Sequence, residues 1–339
     1  MTAAAPDAVA LDDSGIEDRV EAQWYACRIA RPTLKALMRR SDAAGLASFA
    51  PWLVLLAGSG AAAWLAWGSW WAITAFLVYG TLYTSSDAHW HECAHGTAFR
   101  TRWINEAFYH LTSFMCLREA HLWRWSHARH HTHTMITGRD PEITVPRPAN
   151  LPAVLSDFLY LYSGATEVRK ILLHALGIIT PGARDFVPAS EWRKMIRTSR
   201  IYVALVLATV AGSIAIASPL PILFVFLPRF YGAWFHQLCV LTQHAGLAEM
   251  VHDHRLNTRT VTMNPGARFL YVNMNYHLEH HMFPMVPFPA LPRLHEAIKD
   301  QTPPAYAGFL AAYREILPTL IRQARDPGYF IRRPLPAMS

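Results

Sequence analysis

Histidine spacing carries the chemistry of this sequence, whose 18 histidines fall mainly in three clusters. The first, DAHWHECAHGT, puts His91 and His95 at i and i+4, so on a helix the rings project from one face a turn apart, as two ligands of one metal require. The second, WSHARHHTH, holds His127, His130 and His131 at i, i+3 and i+4. The third, NYHLEHH, repeats that spacing with His277, His280 and His281. In each adjacent pair the two rings flank the direction of the first histidine on either side, so one pair can address two different metals. Eight imidazoles exceed the needs of one tetrahedral ion, and imidazole suits iron, zinc or copper. The spacing therefore predicts a nitrogen-rich site for two metals.

Two competing chemistries are weaker. His91-Glu92-Cys93-Ala94-His95 satisfies the zinc-protease pattern HExxH, with Glu92 as general base, but that reading leaves both HxxHH clusters unexplained. A metal or proton transporter should carry its histidines within membrane spans, whereas these sit at span ends and beyond. His121 and His133 lie outside the second pattern and read as neighbours or surface groups. His89 points from another helix face than His91, and His252 and His254 read as loop residues. His244 differs, because it lies at the end of an apolar stretch, at the membrane depth expected of His91.

The elements that position these histidines follow from composition. Of 339 residues, 52% are hydrophobic and 16% charged, against roughly a quarter charged in an ordinary soluble domain, and there are 12 tryptophans. Four stretches are apolar enough to cross a hydrocarbon core of about 30 Å: residues 47–67, 70–88, 201–218 and 222–244, paired as two hairpins. The hairpin tips carry no Lys or Arg, while the segment between the hairpins carries Arg100, Arg102, Arg118, Arg124, Arg129, Arg139 and Arg147. The positive-inside rule then puts both termini and the histidine clusters in the cytoplasm. Net charge of +7 is explained by that rule, with no basic stripe of the kind that binds nucleic acid.

Further expectations concern the rest of the chain. The acidic, then basic, start is no secretory signal. Residues 1–45 read as a cytoplasmic segment, 46–302 as the membrane domain, and 303–339 as a peripheral tail. Ala107–Leu117 and Leu151–Leu176 read as helices at the membrane surface, the latter anchored by Phe158, Tyr160 and Tyr162. Arg229, in the fourth stretch, needs an interior partner or a cavity. Cys27, Cys93, Cys116 and Cys239 form no CxxC pair and read as reduced, structural residues.

HxxxH, HxxHH and HxxHH hung on two membrane hairpins resemble the membrane fatty acid desaturase and hydroxylase superfamily. The texts HECAHGTAFR, RWSHARHHTHT with a following GRDPE, and NYHLEHHMFPMVP look like bacterial acyl-lipid desaturases. The resemblance covers about Ala47 to Pro292. It implies an all-α polytopic fold of four transmembrane helices in two hairpins with a cytoplasmic helical cap. It also implies two non-haem irons held by the eight clustered histidines and a ninth, His244 by position, with Asn273 contributing through water. The implied reaction is O2-dependent desaturation of an acyl-lipid or fatty acyl chain, with hydroxylation of a lipid or hydrocarbon as the alternative. Electrons would come from a separate ferredoxin or cytochrome b5-type protein, since no haem or CxxC motif is present. Asp87, Glu92 and Glu279 are candidate acceptors for the ligand N–H groups. A bacterial inner membrane, in contact with its lipids, is the expected location.

Overall fold

A computed structural model describes residues 23–336. The acidic residues from Asp7 to Glu21, expected to be cytoplasmic, lie outside the described residues. Helices are the regular elements among the described residues, joined by two isolated β-bridges, Thr260 with Tyr276 and Val261 with Tyr306.

After the short helix α1 (Arg31–Leu37), Ser41 caps α2 (Asp42–Leu65) by accepting a hydrogen bond from the Ala44 N–H at 3.3 Å. The Asp42 carboxylate meanwhile accepts from the Thr101 N–H and hydroxyl at 2.8 and 2.7 Å, which ties the start of α2 to the loop after the first histidine cluster. A turn at Gly68, whose φ of +85° lies in the left-handed region, reverses the chain into α3 (Trp71–Thr84). The Trp52 indole donates to the Leu82 carbonyl at 2.8 Å, so the two helices run antiparallel. A single residue, Ser85, separates α3 from α4 (Ser86–Ala94), which carries the first cluster and is buried from Ser86 to Cys93.

Next come α5 (Arg102–Met115) and α6 (Ala120–Thr132), the latter bearing the second cluster and capped by Glu119. The expected surface helix at 107–117 is the C-terminal part of α5, which buries Tyr109 and Met115 and exposes Trp103 and Leu111. The stretch 151–176 divides into α7 (Leu151–Ser156) and α8 (Leu161–Ala175), because Tyr160 between them takes a left-handed φ of 52°. Tyr160 is buried under Arg229 and is therefore no membrane anchor, whereas Tyr162 is exposed. α9 (Pro181–Phe186) leads to α10 (Trp192–Ala215).

The fourth apolar stretch is not one helix. It is α11 (Leu220–Val225), α12 (Pro228–Tyr231) and α13 (Trp234–His244). Pro228 has no N–H to continue the ladder, and Gly232 packs directly on Gly80: a Cβ at Gly232 would lie 2.0 Å from the Gly80 carbonyl oxygen. The carbonyls freed by the break accept from hydroxyls, Phe224 from Tyr79 at 2.9 Å, Val225 from Tyr83 at 2.7 Å and Gly232 from Thr84 at 2.8 Å. Backbone left unpaired at that depth would otherwise be costly. Among the described residues, α2 and α10, the latter extended back to Ala189, are long and apolar enough to cross a membrane.

α14 (His254–Asn257) and α15 (Pro265–Leu270) precede α16 (His277–Met282), which holds the third cluster, and α17 (Leu291–Ile298) covers it. The stretch after Pro303, expected as a peripheral tail, instead forms α18 (Gly308–Gln323). Ala312, Ile316 and Leu320 on α18 are buried against Leu241 and Val261, one stripe at helical spacing closing the core beneath α13. Ile331 is buried as well, and Arg333 donates to the Thr258 carbonyl at 2.6 Å.

Candidate metal centre

Four helices, α4, α6, α13 and α16, bring nine histidines together. One ring nitrogen of each of His91, His95, His127, His131 and His280 lies within 4.8 Å of the others, and the same holds for His130, His244, His277 and His281. Each HH pair is split: His130 and His131 join different groups, as do His280 and His281. His244, singled out by its place at the end of an apolar stretch, belongs to the second group.

Hydrogen bonds fix several tautomers. His127 Nδ1 donates to Glu142 at 3.0 Å, His130 Nδ1 to Asp140 at 2.9 Å and His244 Nδ1 to the Asn257 carbonyl at 2.8 Å. The Thr134 hydroxyl donates to the His130 carbonyl at 2.8 Å, so its oxygen accepts from His281 Nδ1 at 3.1 Å. With Nδ1 protonated, Nε2 of all four rings presents a lone pair. His277 Nε2 faces His244 Nε2 at 3.1 Å and His281 Nε2 at 3.0 Å, and one proton on His277 can bridge only one of them. His127 Nε2 faces His95 Nε2 at 2.9 Å, and both ring nitrogens of buried His91 have no hydrogen-bond partner among the described residues. Converging lone pairs at these separations repel unless a cation lies between them, so the donor set fits metal ions. Burial, with neighbouring rings adding to it, holds His91, His95, His131, His277, His280 and His281 well below the ordinary imidazole value, so their rings are neutral, the form that can bind a metal.

The expected carboxylate acceptors are engaged elsewhere. Asp87 pairs with Arg229 at 2.7 Å, Arg118 at 3.2 Å and His236 at 3.2 Å, because two guanidinium groups outcompete a neutral ring. Glu92 accepts from the Thr97 hydroxyl at 2.9 Å and the Phe288 N–H at 3.3 Å. Glu279 accepts from Thr260 and from His295, each at 2.5 Å, both outside the clusters. Asn273 has partners of its own: its Oδ1 accepts from Arg268 Nε at 2.9 Å and its Nδ2 donates to the Phe288 carbonyl at 3.1 Å. A left-handed φ of 54° directs the backbone there.

The acceptors that do hold the rings, Asp140 and Glu142, stand in the GRDPE text after the second cluster. Their closeness in sequence is a signal, but only the return of the loop onto α6 reveals the pairing. Asp140 is itself oriented by the Met135 and Glu142 N–H groups, both at 2.8 Å. Of the remaining histidines, His254 is buried, stacks on Trp24 at 4.2 Å and lies 5.2 Å from His281, ring centre to ring centre. His89 is buried against Trp52, and His121 and His133 are partly buried; none of the four joins either group.

A cavity of about 480 Å³ opens beside the groups, with His91, His127, His130, His244 and His277 among its walls. The profile of the Fatty acid desaturase family matches residues 68–313, a span that contains all nine histidines. A Sorghum bicolor protein described as a probable fatty acid desaturase DES1 is 26% identical over 255 residues, which cover 69% of this chain and 64% of that protein. An sn-1 oleoyl-lipid 12-desaturase of Anabaena variabilis is 31% identical over 87 residues, 26% of this chain and 20% of that protein. The chain thus matches less than two thirds of the length of either relative. With the family profile spanning most of its length and enclosing both histidine groups, the chain belongs to the fatty acid desaturase family.

Proposed function

We propose that the chain is an O2-dependent membrane desaturase that introduces a double bond into an acyl chain. One iron would be held by His91, His95, His127, His131 and His280, the other by His130, His244, His277 and His281. The observation that carries this reading is the convergence of nine imidazoles from four helices beside one cavity, with His91, His127, His130, His244 and His277 in its wall, in a chain of this family. When bound, the irons supply the oxidising chemistry that removes hydrogen from unactivated methylenes, using O2 and electrons from a separate ferredoxin or cytochrome b5-type carrier.

The protein's own share is positioning and exclusion. Asp140 and Glu142 hold the rings of His130 and His127 in one tautomer and orientation. Thr134 and the Asn257 carbonyl do the same for His281 and His244. Burial of the rings keeps bulk water from the reacting carbon.

The exposed apolar surface supports a membrane setting. Trp64, Leu65, Trp70 and Trp71 crowd the tip between α2 and α3, and Leu207, Ile214 and Ile216 stand exposed on α10. In this reading α3 and the broken α11–α13 segment complete four crossings, assisted by the hydroxyl bonds to the broken backbone. The arginine-rich segment and both termini face the cytoplasm of a bacterial inner membrane.

The test is product mass after incubating iron-loaded protein with reductant, O2 and a defined acyl substrate. Loss of two hydrogens is expected. Gain of one oxygen atom would instead make the chain a hydroxylase, and one zinc with no iron would refute the assignment.

A further inference from the structure

The cavity beside the histidine groups is not lined as a plain hydrocarbon would require. Arg229, 1% exposed, and Arg118 share a single carboxylate, Asp87, at 2.7 and 3.2 Å. The faces of both guanidinium groups are covered: Arg229 lies 3.9 Å over the Tyr160 ring, and Arg118 lies between Trp90 and Trp123 at 4.3 and 4.1 Å. Their edges lack acceptors. Arg229 Nε and Nη1 and Arg118 Nε are buried and have no hydrogen-bond partner among the described residues.

Pairing among the cavity carboxylates points the same way. The other cavity carboxylates have partners of their own: Glu142 has His127 and Ser126, Glu167 has Lys170 and Trp123, and Asp157 has the Ser163 N–H and hydroxyl. Asp87 is the carboxylate that both guanidinium groups contact, and it leaves Arg229 Nε and Nη1 and Arg118 Nε without an acceptor among the described residues. A methylene chain packed there would leave those N–H groups dry, which is expensive. A carboxylate matches them, because its two oxygens accept in the plane of a guanidinium, where the free N–H groups lie.

We propose that Arg118 and Arg229, positioned by Asp87, bind the carboxylate of a free carboxyl-bearing lipid inside the cavity. Asp87 precedes His91 by one helical turn, about 6 Å along the axis. The carbons presented to the histidine groups are therefore those in the first part of the chain after the carboxylate, not methylenes far along an esterified lipid. This rests on the reading of the cavity as the substrate site.

The test is competition binding against a fluorescent acyl probe, using the full chain purified without metal. A saturated fatty acid, its methyl ester and the alkane of equal length are compared. The acid is expected to bind about tenfold or more tighter than the ester. Arg229→Gln should remove that preference while leaving ester affinity unchanged, and Arg229→Lys should restore part of it. Arg118→Gln provides a second variant should the first not fold. Equal binding of acid and ester to the unaltered chain, or equal loss of both in the variants, would overturn the proposal. Oxidation of esterified lipid at mid-chain would also overturn it while leaving the desaturase reading intact. Carboxylate preference without oxidation of any lipid would do the reverse.

Discussion

Asp140 shows how a single residue tunes the centre. Burial pushes its carboxyl up, but the His130 ring and two backbone N–H groups outweigh burial and hold it below the usual carboxylate range. It stays ionised and keeps the His130 lone pair aimed at the second group. Asp140→Asn should weaken metal affinity by about 10–100-fold, read as metal retained against a graded chelator, with the helical circular dichroism unchanged. Glu142→Gln should act similarly on the first group through His127. Because His130 and His131 enter different groups, His130→Ala and His131→Ala are expected to release different ions first, and Mössbauer spectra of partly loaded protein would distinguish them. Residue identity and spacing were enough to find the nine histidines. They were not enough to find the acceptors: Asp87, Glu92 and Glu279 sit as close in sequence to the clusters as Asp140 and Glu142, yet the first three are claimed by arginines, a backbone N–H, hydroxyls and an outlying histidine.

At the scale of elements, α6 depends on its cap. Glu119 accepts from the His121 and Leu122 N–H groups, at 3.2 and 2.6 Å, while fully buried. Burial pushes its carboxyl up to about 8, more than the two N–H groups pull it down. A carboxyl raised in the folded state binds its proton more tightly there than in the unfolded chain. Its contribution to stability is therefore complete below the ordinary carboxyl range, falls progressively as pH rises from there and is exhausted at about 8. Glu119→Gln, neutral throughout, should flatten the loss of thermal stability between mildly acidic pH and about 8. The contact of Gly80 with Gly232 makes a second case: Gly232→Ala cannot be placed without separating α3 from α13, and lower yield and a lower melting temperature of the purified chain are expected. The break before Gly232 was only half legible. Proline marks it, but an apolar stretch of that length reads equally well as one span until the hydroxyls of α3 show where the freed carbonyls go.

For the whole molecule, the C-terminal stretch is structural. Ile316 is fully buried between α13 and the 258–262 segment, and its truncation to Ala should cost about 2–5 kcal/mol by denaturant titration. Deleting everything after residue 302 should go further and abolish metal retention, since α18 supports the helix that carries His244. Retention of a full metal complement by that truncated chain would show the stretch to be the peripheral tail that its proline content suggests.

Periodicity and chemistry, both local properties, are written in the sequence. They determined an all-helical chain, apolar stretches long enough to enter a bilayer, and histidine clusters at metal-ligand spacing with a ninth ring beside them. Tertiary structure decided what depends on contacts between distant segments: which histidine joins which group, which carboxylates hold the rings, and that Asp87 serves two arginines. It also decided that Asn273 faces Arg268 and that the last helix belongs to the core. Each of these is a competition among partners for one buried group, and its outcome is set by distances that no spacing along the chain encodes.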